Sequence, residues 1–166
     1  SPAISVETVG GVRVNLLKYK GHRIISGKPA LSGLPHTVAV SDSAQTLEIE
    51  LSDDVCGFSA KLSYSVFEEE NIIARSVTVT NESNSPVRLL KAELSQLGSV
   101  RLMLGINPET FSWKLEPGES FITPEALLTY SSSGFNGMSH NFHNICRNCL
   151  GASSKNLKHP IVINNW

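Results

Sequence analysis

The sequence has little charge and no excess of either sign. Charged residues make up 17% of its 166 residues, and the formal net charge is −1. Because nucleic-acid binding requires a basic surface, this composition excludes nucleic acid as a partner. Hydrophobic residues make up 40%, as in an ordinary globular protein, and the chain is long enough for one domain with its own core.

Long apolar runs are also missing. No stretch is long enough to span a bilayer, so no membrane segment is predicted. The first residues, SPAISVETVGG, lack the charged-then-apolar pattern of a signal peptide. The protein is therefore expected either not to be exported or to lack its leader in this sequence.

Cysteine is scarce and odd in number, with three residues. Cys146 and Cys149 are too close in sequence to join distant loops. This argues against a disulfide framework and favours a reducing compartment. We expect a cytoplasmic protein.

Most of what remains is typical of strands separated by polar turns. In 46–52, Leu47, Ile49 and Leu51 alternate with Thr46, Glu48 and Glu50, which predicts a half-buried strand with the leucine side inward. Further strands are predicted at 58–67, 72–80, 86–94, 100–106 and 117–131, and residues 12–25 are expected to add two strands or an extended arm. Short strands at even spacing indicate a mainly β protein, an antiparallel β-sandwich.

One segment has helical periodicity. Between Asn136 and Leu150 the apolar residues fall on one stripe, so a single C-terminal amphipathic helix is expected there. Serines at 131–133 offer caps and Gly151 offers a stop. The apolar run at 160–164 is predicted to be a short buried strand.

The same helix contains HNFHNICRNC, with His140, His143, Cys146 and Cys149 at intervals of three. A tetrahedral metal site needs four ligands that converge on one point, and one straight helix rarely supplies four. A redox CxxC is usually found where a helix begins, because the helix N-terminus lowers the thiol pKa. The cysteines are therefore interpreted as core residues, with redox and metal roles as the weaker alternatives, and no metal or other cofactor is predicted.

Other candidate chemistry is sparse. Asp53 and Asp54 follow a strand and are typical of a turn. The run Glu68–Glu70 is interpreted as a solvated hairpin tip. Asn81-Glu82-Ser83 matches the N-glycosylation pattern, which is a common accident in turns unless the chain is secreted.

Longer strings are more specific than these motifs. The stretches GHRIISGKPALSGLP (21–35), LSYSVFEEENIIARSVTVTNESNSPVRLLKA (62–92) and HPIVINNW (159–166) resemble the bacterial-type α-galactosidases of glycoside hydrolase family 36. The block LEPGESFITPEALLTYSSSGFNGMS (115–139) has the most specific resemblance, and the stretches occur in the family's order.

The resemblance implies a fold and a division of the chain. Residues 1–133 are expected to be the β-sandwich region, a fragment of the family's N-terminal supersandwich. Residues 134–157 would form the helical linker, and 158–166 would start the first strand of a (β/α)8 barrel. The resemblance also implies that the family's long segment between the stretches either side of Ala92 and Glu93 is missing here.

The implied function belongs to a larger enzyme. The family hydrolyses terminal α-galactosides such as melibiose and raffinose by a retaining mechanism, with two carboxyl groups about 5 Å apart. Those carboxylates belong to the barrel, so no catalytic residue is predicted in this chain. Its expected role is to buttress the barrel, shape the rim of the galactose pocket and support a homo-oligomer.

Two residues are expected near substrate. The resemblance places Asn165 and Trp166 at the first barrel strand, with the tryptophan at the pocket rim; an aromatic face suits the apolar patch of a pyranose. The alternative for Trp166 is a packing role in a domain interface. The alternatives for the whole chain are a free-standing carbohydrate-binding β-sandwich, for which Trp113 would be a platform, and an assembly domain that pairs through open strand edges.

Overall fold

The computed structural model describes residues 4–14, 16–39, 43–92, 104–107 and 109–149. Their elements are ten strands and one helix. The strands are β1 (Ile4–Thr8), β2 (Arg13–Val14), β3 (Lys18–Ser26), β4 (Ala44–Asp53), β5 (Phe58–Phe67), β6 (Ile72–Asn81), β7 (Val87–Ala92), β8 (Trp113–Leu115), β9 (Ser120–Ile122) and β10 (Ala126–Thr129), and the helix is α1 (Gly134–Cys149).

The strands form two antiparallel sheets. Sheet 1 has the order β2-β1-β7-β8. Sheet 2 has the order β10-β6-β5-β4-β3, and β9 pairs with the other end of β6. The centre of sheet 2 is an antiparallel meander in which β4, β5 and β6 pair over their full ten residues. The predicted mainly β, antiparallel sandwich with one helix is confirmed.

The main core lies between the two sheets. Sheet 1 contributes apolar residues from β1, β7 and β8, and sheet 2 contributes apolar residues from β5 and β6. These are Ile4, Val6, Val87, Leu89, Ala92, Leu115, Phe58, Ala60, Val77 and Val79. Because alternate residues of a strand face opposite sides, these positions fix which face of sheet 2 packs on sheet 1.

The opposite face of sheet 2 is also buried, which corrects the prediction for 46–52. Thr46 and Glu48 are almost fully buried, while Leu47, Ile49 and Leu51 are only half-buried. The cause is a loop, residues 27–39, that lies against this face. We call it the roof loop. Alternation identified the strand but assigned the more buried side to the wrong residues.

A second, smaller core lies under α1. Phe67, Ile72 and Ala44 at one end of sheet 2 pack with Ile145 and Cys149 of the helix. The helix was predicted two residues too late at its start and one too long at its end. Its expected stripe is partly confirmed, since Cys149 is buried, but Cys146 is exposed because it lies a quarter turn from Ile145.

Two strands were missed and one prediction is wrong in its described part. The short strands β1 and β8 carry no alternation long enough to detect; they form because both pair with β7. Leu104–Asn107 form no strand, although a strand was predicted over 100–106. The rest of that stretch and the predicted strand at 160–164 lie outside the described residues.

Candidate functional site

The roof loop covers a polar cavity on sheet 2. The cavity measures about 250 Å³, and its lining is dominated by hydroxyl and charged groups: Lys28, Glu48, Lys61, Ser63, Ser65, Ser76, Thr78, Ser120 and Glu125. Loop and sheet are joined through Glu125. Its Oε1 lies 2.8 Å from Lys28 Nζ, and its Oε2 accepts hydrogen bonds from the Thr37 amide at 2.7 Å and the Thr37 hydroxyl at 2.8 Å.

Glu48 is the second buried carboxylate of this cavity. Its Oε2 accepts from Arg23 Nε at 2.6 Å, and its Oε1 lies 3.2 Å from Lys61 Nζ. Burial raises the pKa of Glu48, but the hydrogen bonds from Arg23 and Lys61 outweigh burial, and the pKa lies below its usual range. Glu48 is therefore charged at neutral pH.

These partners decide what the cavity can do chemically. A general acid must hold a proton near the working pH, and an ion-paired carboxylate with a lowered pKa does not. Both oxygens of Glu125 are also occupied by partners from the roof loop. The residues that line the cavity thus fasten the loop to the sheet and offer no acid and nucleophile pair of the kind that glycoside hydrolysis requires.

The four candidate ligands of α1 diverge. His140, His143 and Cys146 are exposed, whereas Cys149 is buried. Among the residues that the structure describes, no three His, Cys, Asp or Glu side chains are grouped closely enough to hold a metal ion. All three cysteines are free thiols.

Glu70 corrects the interpretation of its hairpin. It was predicted to be solvated, but it is buried where the β5–β6 turn meets the end of α1. Its Oε1 accepts from Asn148 Nδ2 at 3.3 Å and lies 3.9 Å from Cys149 Sγ. The turn prediction for Asp53 is sound, because its Oδ1 accepts from the amides of Val55 and Cys56.

Asn81 is the residue of the glycosylation pattern, and it is fully buried. Its Nδ2 donates to the carbonyl oxygens of Ser85 at 2.9 Å and Leu115 at 3.0 Å, and its Oδ1 accepts from the amide and hydroxyl of Ser83. The side chain therefore ties the β6–β7 turn to β8 and has no room for a glycan.

The aromatic residues give no broad flat platform. Phe58 is buried as expected, and Phe121 is half-buried with ring centroids 5.5 Å from both Phe111 and Trp113. Trp113 is half exposed, but its ring is tilted 52° to that of Phe121. Tyr64 was predicted to face inward; it is half-buried, with the Arg75 guanidinium 4.8 Å from its ring centroid.

The two residues predicted near substrate, Asn165 and Trp166, lie outside the described residues, as do 150–164. In the described part of the chain, no helix combines the length and apolarity that a membrane span needs.

Comparison with known proteins adds the decisive observation. Residues 1–97, more than half of the chain, match the model of the glycosyl hydrolase family 36 N-terminal domain. The chain belongs to glycosyl hydrolase family 36. Residues 120–166 also match the family model described as melibiase.

The relatives of this family 36 chain are α-galactosidases. α-Galactosidase AgaA of Geobacillus stearothermophilus is 30% identical and α-galactosidase 2 of Hypocrea jecorina is 25% identical, each over all of this chain and 34% of the relative. A solved AgaA variant in complex with raffinose is 29% identical with a TM-score of 0.83, over 100% of this chain and 35% of that one. The chain thus spans about a third of the length of these relatives.

The comparison also supports the expected internal gap. The alignment with AgaA covers this whole chain and runs over 251 positions, 85 more than the 166 residues available. Because both ends are aligned, those extra positions of AgaA lie inside the aligned region. This family 36 chain therefore lacks internal sequence that AgaA contains.

Proposed function

We propose that this chain is the non-catalytic N-terminal part of an α-galactosidase that acts on terminal α-galactosides by retaining double displacement. The observation that carries the proposal is the end-to-end match to α-galactosidases, of which AgaA has been solved with raffinose and with stachyose. The described cavity supports a structural role, because Glu48 and Glu125 are both held in ion pairs.

The proposed chemistry takes place in a barrel domain. There one carboxylate would attack the anomeric carbon and a second carboxyl group would protonate the leaving oxygen, after which water would release galactose. The proposed division of this chain is 1–133 for the sandwich, 134–157 for the helical linker and 158–166 for the start of the first barrel strand. Asn165 and Trp166 would lie at the rim of the galactose pocket, and the chain would belong to a cytoplasmic homo-oligomer.

A chimera tests the proposal. This chain would replace the matching N-terminal third of AgaA, and 4-nitrophenyl α-galactoside hydrolysis would be compared with that of the AgaA remainder alone. We expect the chimera to be at least about tenfold more active, because a buttressed barrel keeps its catalytic carboxyl groups in position. Equal activity would contradict the buttressing role. A second chimera that restores the missing internal AgaA stretch shows whether that gap limits activity.

The rim residues are tested in the more active chimera. Trp166→Ala should raise KM for raffinose more than it lowers kcat, because a stacking contact made equally in both states contributes uniform binding. Trp113→Ala is the matched control, and it should leave KM unchanged. The opposite pattern would favour the alternative in which the sandwich itself binds carbohydrate through Trp113.

A further inference from the structure

Sheet 1 covers only part of the face of sheet 2 on which it packs. The covered part includes Phe58, Ala60, Val77 and Val79, with Leu62 packed against them. The strands of sheet 2 continue beyond these residues toward the β5–β6 turn. The same face therefore extends past the edge of the core.

The uncovered part is apolar. We call it the open half-face, and it consists of Ile24, Leu47, Tyr64, Val66, Ile73 and Arg75. Register places them together, because Ile24 pairs with Leu47, Leu47 with Tyr64, Tyr64 with Arg75, and Val66 with Ile73. Ile24 is 71% exposed, Val66 45% and Ile73 40%. A cluster of β-branched side chains in the middle of a sheet marks a surface that another element covers.

Arg75 gives this surface a charge preference. Its guanidinium lies over the Tyr64 ring, and its Nε is buried without a hydrogen-bond partner. Among the described residues, no carboxylate forms an ion pair with Arg75. A half-buried cation among apolar side chains lacks an acceptor, which the covering element would supply as a carboxylate or a carbonyl group.

The AgaA alignment indicates which element that is. Its 85 extra positions lie inside the aligned region, while the shared part of the fold is retained at a TM-score of 0.85 in the solved AgaA. A second copy of this chain is the less suitable occupant. A two-fold interface repeats the same residues on both sides, so it would bring another Arg75 and no new acceptor to the patch.

We propose that the open half-face is the binding surface for the internal segment that AgaA has and this chain lacks, and that this chain can bind such a segment as a separate polypeptide. The segment would place apolar side chains on Ile24, Val66 and Ile73 and an acceptor beside Arg75. The proposal rests on family membership and exposed surface, and it does not depend on hydrolytic activity.

A binding measurement tests this directly. The probe is the longest stretch of AgaA without a counterpart in this chain, produced as a fusion to a soluble carrier and titrated into the 166-residue chain by calorimetry. We expect saturable one-to-one binding. Ile73→Glu should weaken binding at least about tenfold, since it places a charge at the centre of the contact. Arg75→Gln should weaken it several-fold if the acceptor is a carboxylate.

Val55→Glu is the matched control, because Val55 is 93% exposed in the β4–β5 turn, away from this face. It should bind like the parent, and circular dichroism melting would show that all variants are folded. Absence of binding by the folded parent would overturn the proposal, as would binding that survives Ile73→Glu. A parent dimer that Ile73→Glu converts to monomer would also overturn it, because the occupant would then be a second copy.

Discussion

At the scale of single residues, the molecule uses buried polar side chains as fasteners. Asn81, Glu48 and Glu125 are each surrounded by partners that come from elsewhere in the chain. A buried polar group contributes little net free energy when paired, but leaving its partners unpaired costs their full desolvation. Substitutions at these residues should therefore have larger effects than their modest size implies.

Asn81→Ala is expected to lower the free energy of unfolding by about 3 kcal/mol, because it orphans the carbonyl oxygens of Ser85 and Leu115. Urea denaturation measures this. Asn84→Ala, at an exposed position of the same turn, should change the value by less than about 0.5 kcal/mol. Expression in a glycosylating host should leave Asn81 unmodified; a glycan on folded protein would contradict the burial described here.

Glu48→Gln is expected to destabilise the protein by about 2 kcal/mol at pH 7, since Arg23 and Lys61 are partly exposed and lose only part of their pairing energy. Because the folded pKa of Glu48 is lowered, its contribution is present above the ordinary glutamate pKa and is lost as pH falls through the folded value. Urea denaturation of parent and variant should therefore converge with acidification. A difference that persists unchanged at acidic pH would contradict the ion-paired state.

At the scale of elements, the roof loop is the least regular part and depends on contacts distant in sequence. Thr37 lies 88 residues from Glu125, yet the two share two hydrogen bonds. The loop also contacts the helix end, where the Val38 amide donates to the Cys149 carbonyl at 2.6 Å. Glu125 therefore holds the loop against the cavity it covers.

Glu125→Ala should release the roof loop without unfolding sheet 2. It leaves Lys28 buried without a carboxylate, which costs about 3 kcal/mol. Hydrogen exchange at the Thr37 amide should become at least about tenfold faster, while amides in the β5–β6 ladder stay protected. Uniform loss of protection would mean that the loop and the sheet unfold together.

The elements differ in how well sequence predicts them. The boundaries of β5 match the prediction of 58–67, because ten residues alternate between polar turns. The buried side of β4 could not be predicted, because Thr46 and Glu48 are buried by a loop whose position depends on Glu125. Glu70 was misjudged for the same reason: its burial is caused by α1, which follows it by more than sixty residues. The open half-face required the register of four strands.

At the scale of the whole molecule, two sheets of unequal size share one core, and the larger sheet extends beyond it. This arrangement agrees with a family 36 sandwich that lacks an internal segment. The charged groups of the polar cavity are ion-paired, and the apolar surface is unpartnered among the described residues. Both features favour a scaffold that binds other parts of an enzyme over a domain that performs chemistry itself.

The most direct test of this account is an α-galactosidase assay on the folded 166-residue chain by itself, with raffinose and 4-nitrophenyl α-galactoside as substrates and AgaA as the positive control. The account predicts no release of galactose or nitrophenol above the rate of the uncatalysed reaction, because the described carboxylates are paired and no acid and nucleophile pair is assembled. Saturable hydrolysis that is reduced by Glu48→Gln or Glu125→Ala would contradict the account and would make the polar cavity an active site.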